Sequence, residues 1–249
     1  VFSDIENLTG TVNASDSFTF GASGSLSGLI DGTGGIGDAV SYAAKASPIT
    51  ITLGTDVINV EDITGSAGSD SLVNGSNYVI SGADDGTLSA GSIAFHSIEN
   101  LTGTAGDDSF TFSGGTLSGA INGSEGGETS GDTIIGLSTY NINAADGGTV
   151  AEITGGFSNI ESLAGTTGDD SFTFIGSGTL SGAIDGSEGS ETSGDSLIGL
   201  SVYSINGADS GAVAEITGGF SNIENLTGLT GSNDSFTFTG AGRLSGAID

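Results

Sequence analysis

The sequence predicts an all-β fold, a parallel β-helix (β-solenoid) assembled from repeats of about 62 residues. Two observations predict it: short blocks in which apolar and polar residues alternate, and the return of these blocks in the same order along the chain. Alternation with a period of two residues is typical of strands that bury one face. Return at a fixed spacing is typical of architectures in which similar units stack on one another.

The repeat is clearest at the motif Phe-x-x-Ile-Glu-x-Leu-x-Gly, which begins at Phe95, Phe157 and Phe220. These start positions differ by 62 and 63 residues. An earlier copy begins at Phe2, and a degenerate one lies at residues 60–65. We therefore expect one array over residues 1–249, with a degenerate unit at about 2–94, full units at 95–156 and 157–219, and a partial unit at 220–249.

Each unit divides into short alternating blocks separated by links rich in Gly, Ser, Asn and Asp. The links predict turns, because these residues favour tight backbone conformations. No block has the length or the Ala, Leu, Glu and Lys content of a helix. Coils of roughly 20 to 31 residues would give a rod roughly 40 to 60 Å long at the usual ~4.8 Å strand spacing. In the unit that begins at 95, the predicted strands lie within residues 108–112, 116–121, 132–137, 140–142 and 149–156.

Stacked coils place equivalent residues above one another. We therefore expect one lateral position in the core, and one corner, to be shared by the corresponding residues of successive units. A β-sandwich is the competing fold, and it also explains strands every 8 to 12 residues or so. It does not explain why the same strands return every 62 residues. The expected core set is Phe110, Phe172 and Phe236, and the expected corner set is Asn100, Ser162 and Asn225.

Composition excludes several function classes. The chain has 31 acidic and 2 basic residues, a net charge of -29, so it should repel nucleic acid and anionic lipid surfaces. Without cysteine it has no disulfides and no thiolate nucleophile, and the single His96 leaves no imidazole pair for a catalytic metal. No apolar run approaches the roughly 18 residues of a membrane span, which predicts that the chain does not insert into a membrane.

The acidic turns are the strongest chemical feature. Paired carboxylates in a Gly-rich corner offer hard oxygen ligands that Ca²⁺ prefers. The alternative is that the same residues cap their own turns through the backbone and stay solvated. In the last copy the pair becomes Asn233 and Asp234, with one charge fewer. The candidate Ca²⁺ ligands are Asp107, Asp108, Asp169, Asp170 and Asp234, and we expect no required cofactor.

An enzyme is the least favoured interpretation. A polysaccharide lyase would need clustered basic residues, whereas Lys45 and Arg243 stand in different repeats. A glycosidase needs two carboxylates, but a catalytic site breaks repeat symmetry and these acidic positions follow the repeat. We therefore predict no catalytic residues. Four further glutamates are interpreted as solvated charge in the longest links: Glu125, Glu128, Glu188 and Glu191.

Two motifs carry a family resemblance. Phe-x-x-Ile-Glu-x-Leu-x-Gly-x-x-Gly-Asp-Asp-Ser-Phe and Leu-Ser-Gly-Ala-Ile-Asp-Gly resemble the repeat regions of large secreted bacterial surface proteins. These are the filamentous-haemagglutinin-like and RTX-like adhesins, and the resemblance implies a parallel β-helix or a calcium β-roll outside the cell. The sequence contains only isolated segments similar to the RTX nonapeptide, such as residues 106–110, and no tandem series of them, which favours a wider β-helix.

An array with no privileged pocket acts through its length, stiffness and surface. The expected function is therefore an extracellular structural or adhesive rod or filament segment of a bacterial cell-surface protein. The alternative is a calcium- or glycan-binding surface module, S-layer-like or RTX-like. The sequence stops in mid-unit at residues 244–249, so the expected partners are copies joined end to end or the rest of a longer repeat chain, with glycans or other cell surfaces as further partners.

Overall fold

The computed structural model describes residues 5–88 and 93–249, so Phe2, where the first copy begins, lies outside the described residues. This part of the chain is all-β, and it contains no helix with the length and apolar character of a membrane span. The strands are β1 (Leu8–Thr9), β2 (Ser17–Thr19), β3 (Ile30–Asp31), β4 (Ala39–Ser41), β5 (Thr50–Thr52), β6 (Val57–Ile58), β7 (Asp62–Thr64), β8 (Ser71–Val73), β9 (Tyr78–Gly82), β10 (Asp85–Leu88), β11 (Ile93–His96), β12 (Asn100–Thr102), β13 (Ser109–Phe112), β14 (Ile121–Asn122), β15 (Thr133–Ile135), β16 (Thr139–Ala144), β17 (Gly147–Val150), β18 (Ile153–Ser158), β19 (Ser162–Ala164), β20 (Ser171–Phe174), β21 (Ile184–Asp185), β22 (Ser196–Ile198), β23 (Val202–Gly207), β24 (Ser210–Val213), β25 (Ile216–Ser221), β26 (Asn225–Thr227) and β27 (Ser235–Phe238).

The strands form two large sheets and one small one. The larger has 14 strands in the order β2-β4-β7-β11-β10-β9-β13-β15-β19-β21-β25-β24-β23-β27. The second has 10 strands in the order β26-β22-β20-β16-β17-β18-β14-β12-β8-β5, and the small sheet is β1-β3-β6. From β12 onwards the chain crosses from one large sheet to the other at every connection outside two antiparallel segments, β16–β18 and β23–β25. Buried apolar side chains from both sheets belong to one hydrophobic core.

Most neighbouring strands are parallel and in register, so apolar side chains form ladders. In the larger sheet the ladder includes Phe110, Ile134 and Leu163, all of them buried. Paired residues lie 20 positions apart between Leu101 and Ile121, and 36 positions apart between Ile121 and Phe157. Each of these buried residues sits between neighbours that are less buried, which is the alternation expected of a strand with one buried face.

Three segments depart from parallel pairing. Strands β9–β11, β16–β18 and β23–β25 are antiparallel meanders. The first hairpin of each turns at an Asp with a left-handed backbone: Asp84 (φ 57°), Asp146 (φ 48°) and Asp209 (φ 49°). In the predicted parallel β-helix each strand would pair with its counterpart one coil away, and this is wrong at these segments, because a tight turn pairs strands that are neighbours in sequence.

The expected stacking of successive copies is also wrong. Phe110 and Phe236 lie in the larger sheet, whereas Phe172 lies in the 10-stranded sheet. The reason is that one unit crosses the core an odd number of times: β13, β14, β15, the β16–β18 meander and β19 make five passes. The next copy therefore starts on the opposite sheet. The corner set behaves likewise, with Asn100 and Asn225 in one sheet and Ser162 in the other.

Each meander is fixed by a buried tyrosine. The ring of Tyr140 stacks on Phe172 at 5.2 Å and meets Phe157 edge-on at 6.3 Å. Its hydroxyl donates a hydrogen bond to the Ala164 carbonyl at 3.2 Å, so the polar end of the ring is satisfied inside the core. The same arrangement surrounds Tyr78 and Tyr203.

Candidate functional site

Buried acids gather at the corners where the chain leaves one sheet and enters the other. At each such corner a Gly that ends one strand lies against an Asp that begins the next. Two glutamates after the meanders join them. The only ion pairs among residues 5–88 and 93–249 involve His96, so basic side chains do not neutralise these acids. The buried acids are Asp38, Asp70, Asp108, Asp132, Glu161, Asp170, Asp195 and Glu224.

Short corners, residues 65–70, 103–108 and 165–170, close on themselves. At the second of them, Asp108 Oδ2 accepts hydrogen bonds from the Thr104 amide at 2.6 Å and from its hydroxyl at 3.0 Å. Asp170 binds Thr166 in the same way, and Asp70 binds Ser66. The chain itself therefore satisfies the buried carboxylate of every short corner.

Asp107 and Asp169, which directly precede Asp108 and Asp170, form hydrogen bonds with a different segment of the chain. Asp107 Oδ1 accepts hydrogen bonds from the amides of Thr129, Ser130 and Gly131 at 2.7, 3.0 and 3.0 Å. These bonds hold the pKa of Asp107 below its usual range. Asp169 binds residues 192–194 equivalently. Each of the two carboxylates therefore holds the long link that precedes the neighbouring strand of the same sheet.

The structure thus separates the five residues predicted as Ca²⁺ ligands. Asp107 and Asp108 are neighbours in sequence but bond to different segments, and so are Asp169 and Asp170. Exposed Asp234 accepts bonds from the Leu229 amide at 3.2 Å and the Ser232 hydroxyl at 3.0 Å. Asp108, Asp170 and Asp234 cap their own turns through these hydrogen bonds. Asp107 and Asp169 instead accept hydrogen bonds from a link farther along the chain.

Long corners, residues 123–132 and 186–195, take part in hydrogen bonds that connect the acids preceding three neighbouring strands, such as β13, β15 and β19. The Asp108 amide donates to Asp132 Oδ1 at 2.7 Å, and the Asp132 amide donates to Glu161 Oε2 at 2.5 Å. Gly131 has φ 78°, and a Cβ there would lie 2.7 Å from the Glu161 side chain, so only glycine leaves room for the glutamate. The second copy runs through Asp170, Asp195 and Glu224.

Unlike the short corners, the long corners leave oxygens without a hydrogen-bond partner. Asp132 and Asp195 are fully buried, and the Oδ2 atom of each has no partner. Glu128 Oε1 and Glu191 Oε1 are buried atoms in the same situation. The links also bring carboxylates together: one oxygen each of Glu191, Asp195 and Glu224 lie within 4.8 Å of one another, as do those of Glu125, Glu128 and Glu161.

The electrostatics follow from this crowding. Burial, together with the charges of Asp108, Glu128 and Glu161, raises the pKa of Asp132 to about 7. The pKa of Asp195 is raised to about 7 by burial in the same way. A buried anion without a counter-charge is costly, so each long corner favours uptake of positive charge, either a proton or a cation.

Sequence reasoning missed this cluster. It interpreted Glu128 and Glu191 as solvated loop charge, and it used Asp132 and Asp195 only as strand starts. A usable signal was present, because a Gly-Asp pair at 131–132 and 194–195 follows each Glu-bearing link. The Ile-Glu pair at 160–161 and 223–224 repeats with the same spacing.

Comparison with known proteins adds no relative: no family model, curated protein or solved structure matches the chain.

Proposed function

We propose that the chain is a β-solenoid segment of an extracellular structural or adhesive rod on a cell surface, without catalytic activity. One observation carries the proposal: in-register parallel pairing links strands along the length of both large sheets, with the three meanders inserted in the stack. Sheets built this way grow along one axis as coils are added. Fourteen strands at ~4.8 Å spacing correspond to a length of roughly 60 Å.

The core supports stiffness. Ladders of apolar residues run along each sheet, and a stacked Tyr–Phe pair is present at each meander, with ring centroids 5.1, 5.2 and 4.9 Å apart. Dense side-chain packing of this kind resists bending because every coil is held by both neighbours. A stiff spacer works by such continuity and needs no binding pocket.

The surface cavities support a role without catalysis. Three cavities among the described residues have volumes of about 230, 630 and 360 Å³. The first is lined by Asp56 and Lys45 among others, the third by Glu152, and the second by no acidic residue. None of the three pairs two carboxylates, which glycoside hydrolysis requires.

Composition supports a location outside the cell. The chain has no cysteine or methionine to oxidise and only two basic residues at which trypsin-like proteases cleave. Its charge of -29 keeps rods apart in solution by mutual repulsion.

Immunogold electron microscopy of the source cells tests this proposal. Antibodies raised against the chain should label the outer surface, and pre-immune serum should not. Negative-stain images of the purified chain should show narrow particles roughly 60 Å long. Label confined to the cell interior, or round particles, would contradict the proposal.

A further inference from the structure

The two long corners concentrate negative charge without a counter-charge. Around Asp195 stand Asp170, Glu191 and Glu224, and the corresponding acids surround Asp132. The two basic residues of the chain lie elsewhere: the Lys45 ammonium donates to the Gly24 carbonyl, and Arg243 is exposed. Removing one carboxylate from water is costly, and grouping several is more so unless a cation joins them.

Among these acids are buried oxygens that have no hydrogen-bond partner. Asp195 is fully buried; its Oδ1 accepts the Asp170 amide at 2.7 Å, whereas its Oδ2 has no partner. Glu191 Oε1 is likewise a buried atom without a partner. Native proteins rarely leave buried polar atoms unpaired, and a bound ion is one of the partners that account for such atoms.

The spacing of the oxygens suits a particular class of ion. Ca²⁺ binds oxygen ligands at roughly 2.3–2.6 Å, so opposite ligands stand roughly 4.6–5.2 Å apart. The oxygens of Glu191, Asp195 and Glu224 lie within 4.8 Å of one another, which matches that span without moving the backbone. Carboxylates alone, with no imidazole or thiolate, select hard cations over zinc or copper.

We propose that the two long corners are equivalent binding sites for a hard divalent cation, of which Ca²⁺ fits best. One site consists of Glu125, Glu128 and Glu161, next to Asp132, and the other consists of Glu191, Asp195 and Glu224. Each bound ion joins a long corner to the glutamate that follows the next meander. This inference concerns binding alone and holds whether or not the rod works outside the cell.

The Asp38 corner provides an internal control. The Asp38 amide donates to Glu61 Oε2 at 2.8 Å, and Asp38 Oδ2 has no partner, as at the long corners. Its link, residues 32–37, contains no Asp or Glu, so it lacks the counterpart of Glu128 and Glu191. We therefore expect only two ions per chain.

Isothermal titration of the chelator-treated chain with Ca²⁺ at pH 7.5 tests the proposal. The native chain should bind two ions. Glu128→Gln and Glu191→Gln should each remove one, with affinity at that site lowered about tenfold or more, and the double variant should bind none. Asp38→Asn should still bind two.

Three results would overturn the proposal: no Ca²⁺ bound by the native chain, two ions still bound by the double variant, or sites lost in Asp38→Asn. Circular dichroism shows whether each variant is folded. Should the double variant not fold, the single variants and the melting temperature decide. Ca²⁺ should raise the melting temperature of the native chain, and no change on adding millimolar Ca²⁺ would count against the sites.

Discussion

Short and long corners share the same Gly–Asp arrangement but differ in the hydrogen bonds that the buried Asp accepts. In both, a Gly and an Asp face each other across a link, and the Asp amide donates to an acidic side chain on the next coil. At the short corner that ends at Asp70, Oδ1 accepts the Ile49 amide at 2.7 Å and Oδ2 accepts the Ser66 amide. At the long corner that ends at Asp132, Oδ2 has no partner.

Loop length explains the difference. A short link places the residue after the Gly within hydrogen-bond distance of the Asp, so the turn caps itself. In the long link, which has four more residues, the amides of residues 129–131 donate to the Asp107 carboxylate and not to Asp132. The added residues include glutamates. The same Gly–Asp arrangement therefore forms a self-capped turn at the short corners and a cluster of carboxylates at the long corners.

The largest expected effect comes from filling the Gly of a long corner. In Gly123→Ala the added Cβ would collide with the Asn159 carbonyl and with Asp132 Oδ2. We expect at least about 3 kcal/mol of destabilisation, a melting temperature lower by roughly 6 °C or more. Gly106→Ala is the matched control in a short corner, because the nearest atom to its Cβ lies 3.8 Å away. Equal melting temperatures for the two variants would contradict the collision.

Removing the charge of the buried Asp should change the free energy of unfolding in opposite directions at short and long corners. Asp70→Asn should destabilise by about 1–3 kcal/mol, since an amide cannot accept from two backbone amides with both of its terminal atoms. In chelator, Asp132→Asn should be neutral or stabilising by about 1 kcal/mol, because its Oδ1 bond can persist while a buried charge disappears. Urea denaturation measures both. Loss of stability in Asp132→Asn as large as in Asp70→Asn would show that the corners are not different.

Stability should fall as pH rises in the cation-free protein. Asp132 and Asp195 have pKa values of about 7 in the folded chain, against about 3.9 for an unfolded Asp. Between these values the folded state holds more protons than the unfolded state, so their contribution is complete below pH 4 and lost by pH 7 to 8 or so. The groups facing the pair are Asp108, Glu128 and Glu161 at the first corner and Asp170, Glu191 and Glu224 at the second, all acidic.

Thermal melts in chelator from pH 5 to pH 8 check this sign. The variant Asp132→Asn/Asp195→Asn should show a weaker dependence than the native chain, which separates the two acids from general charge repulsion. Native stability that increases between pH 5 and pH 8 would be inconsistent with buried, unpaired carboxylates.

The smallest effect is expected at the exposed residue that fastens the long link. Asp107→Ala removes the acceptor of three amides, so hydrogen exchange at residues 129–131 should accelerate about tenfold, with little change in melting temperature. Asp169→Ala should act on residues 192–194 in the same way. Unchanged exchange in both variants would show that other contacts hold the link.

Much of the strand pattern could be predicted from sequence. Period-two blocks placed Phe110 and Phe112 correctly on one buried face, because alternation directly reports which side of a strand is apolar. The block at 116–121 yielded only the two-residue strand β14, since Ser118 and Gly119 instead make a corner held by Asp84 and Asn100.

The change of sheet between copies could not be read from the repeat. Period alone does not tell how often a unit crosses the core, and the meander of residues 139–158 looks like ordinary strands in sequence. The long-corner cluster was missed for a related reason. Glu128 and Glu161 lie 33 positions apart in sequence and come together only because the strands that follow them, β15 and β19, pair. Asp107 and Asp108, by contrast, are adjacent in sequence.

Anomalous scattering from crystals grown with a lanthanide that substitutes for Ca²⁺ tests the central contrast most directly. We expect two peaks per chain, one among Glu125, Glu128 and Glu161 and one among Glu191, Asp195 and Glu224, with none at Asp108 or Asp170. Peaks at the paired aspartates of the short corners, or none at the long corners, would contradict the account.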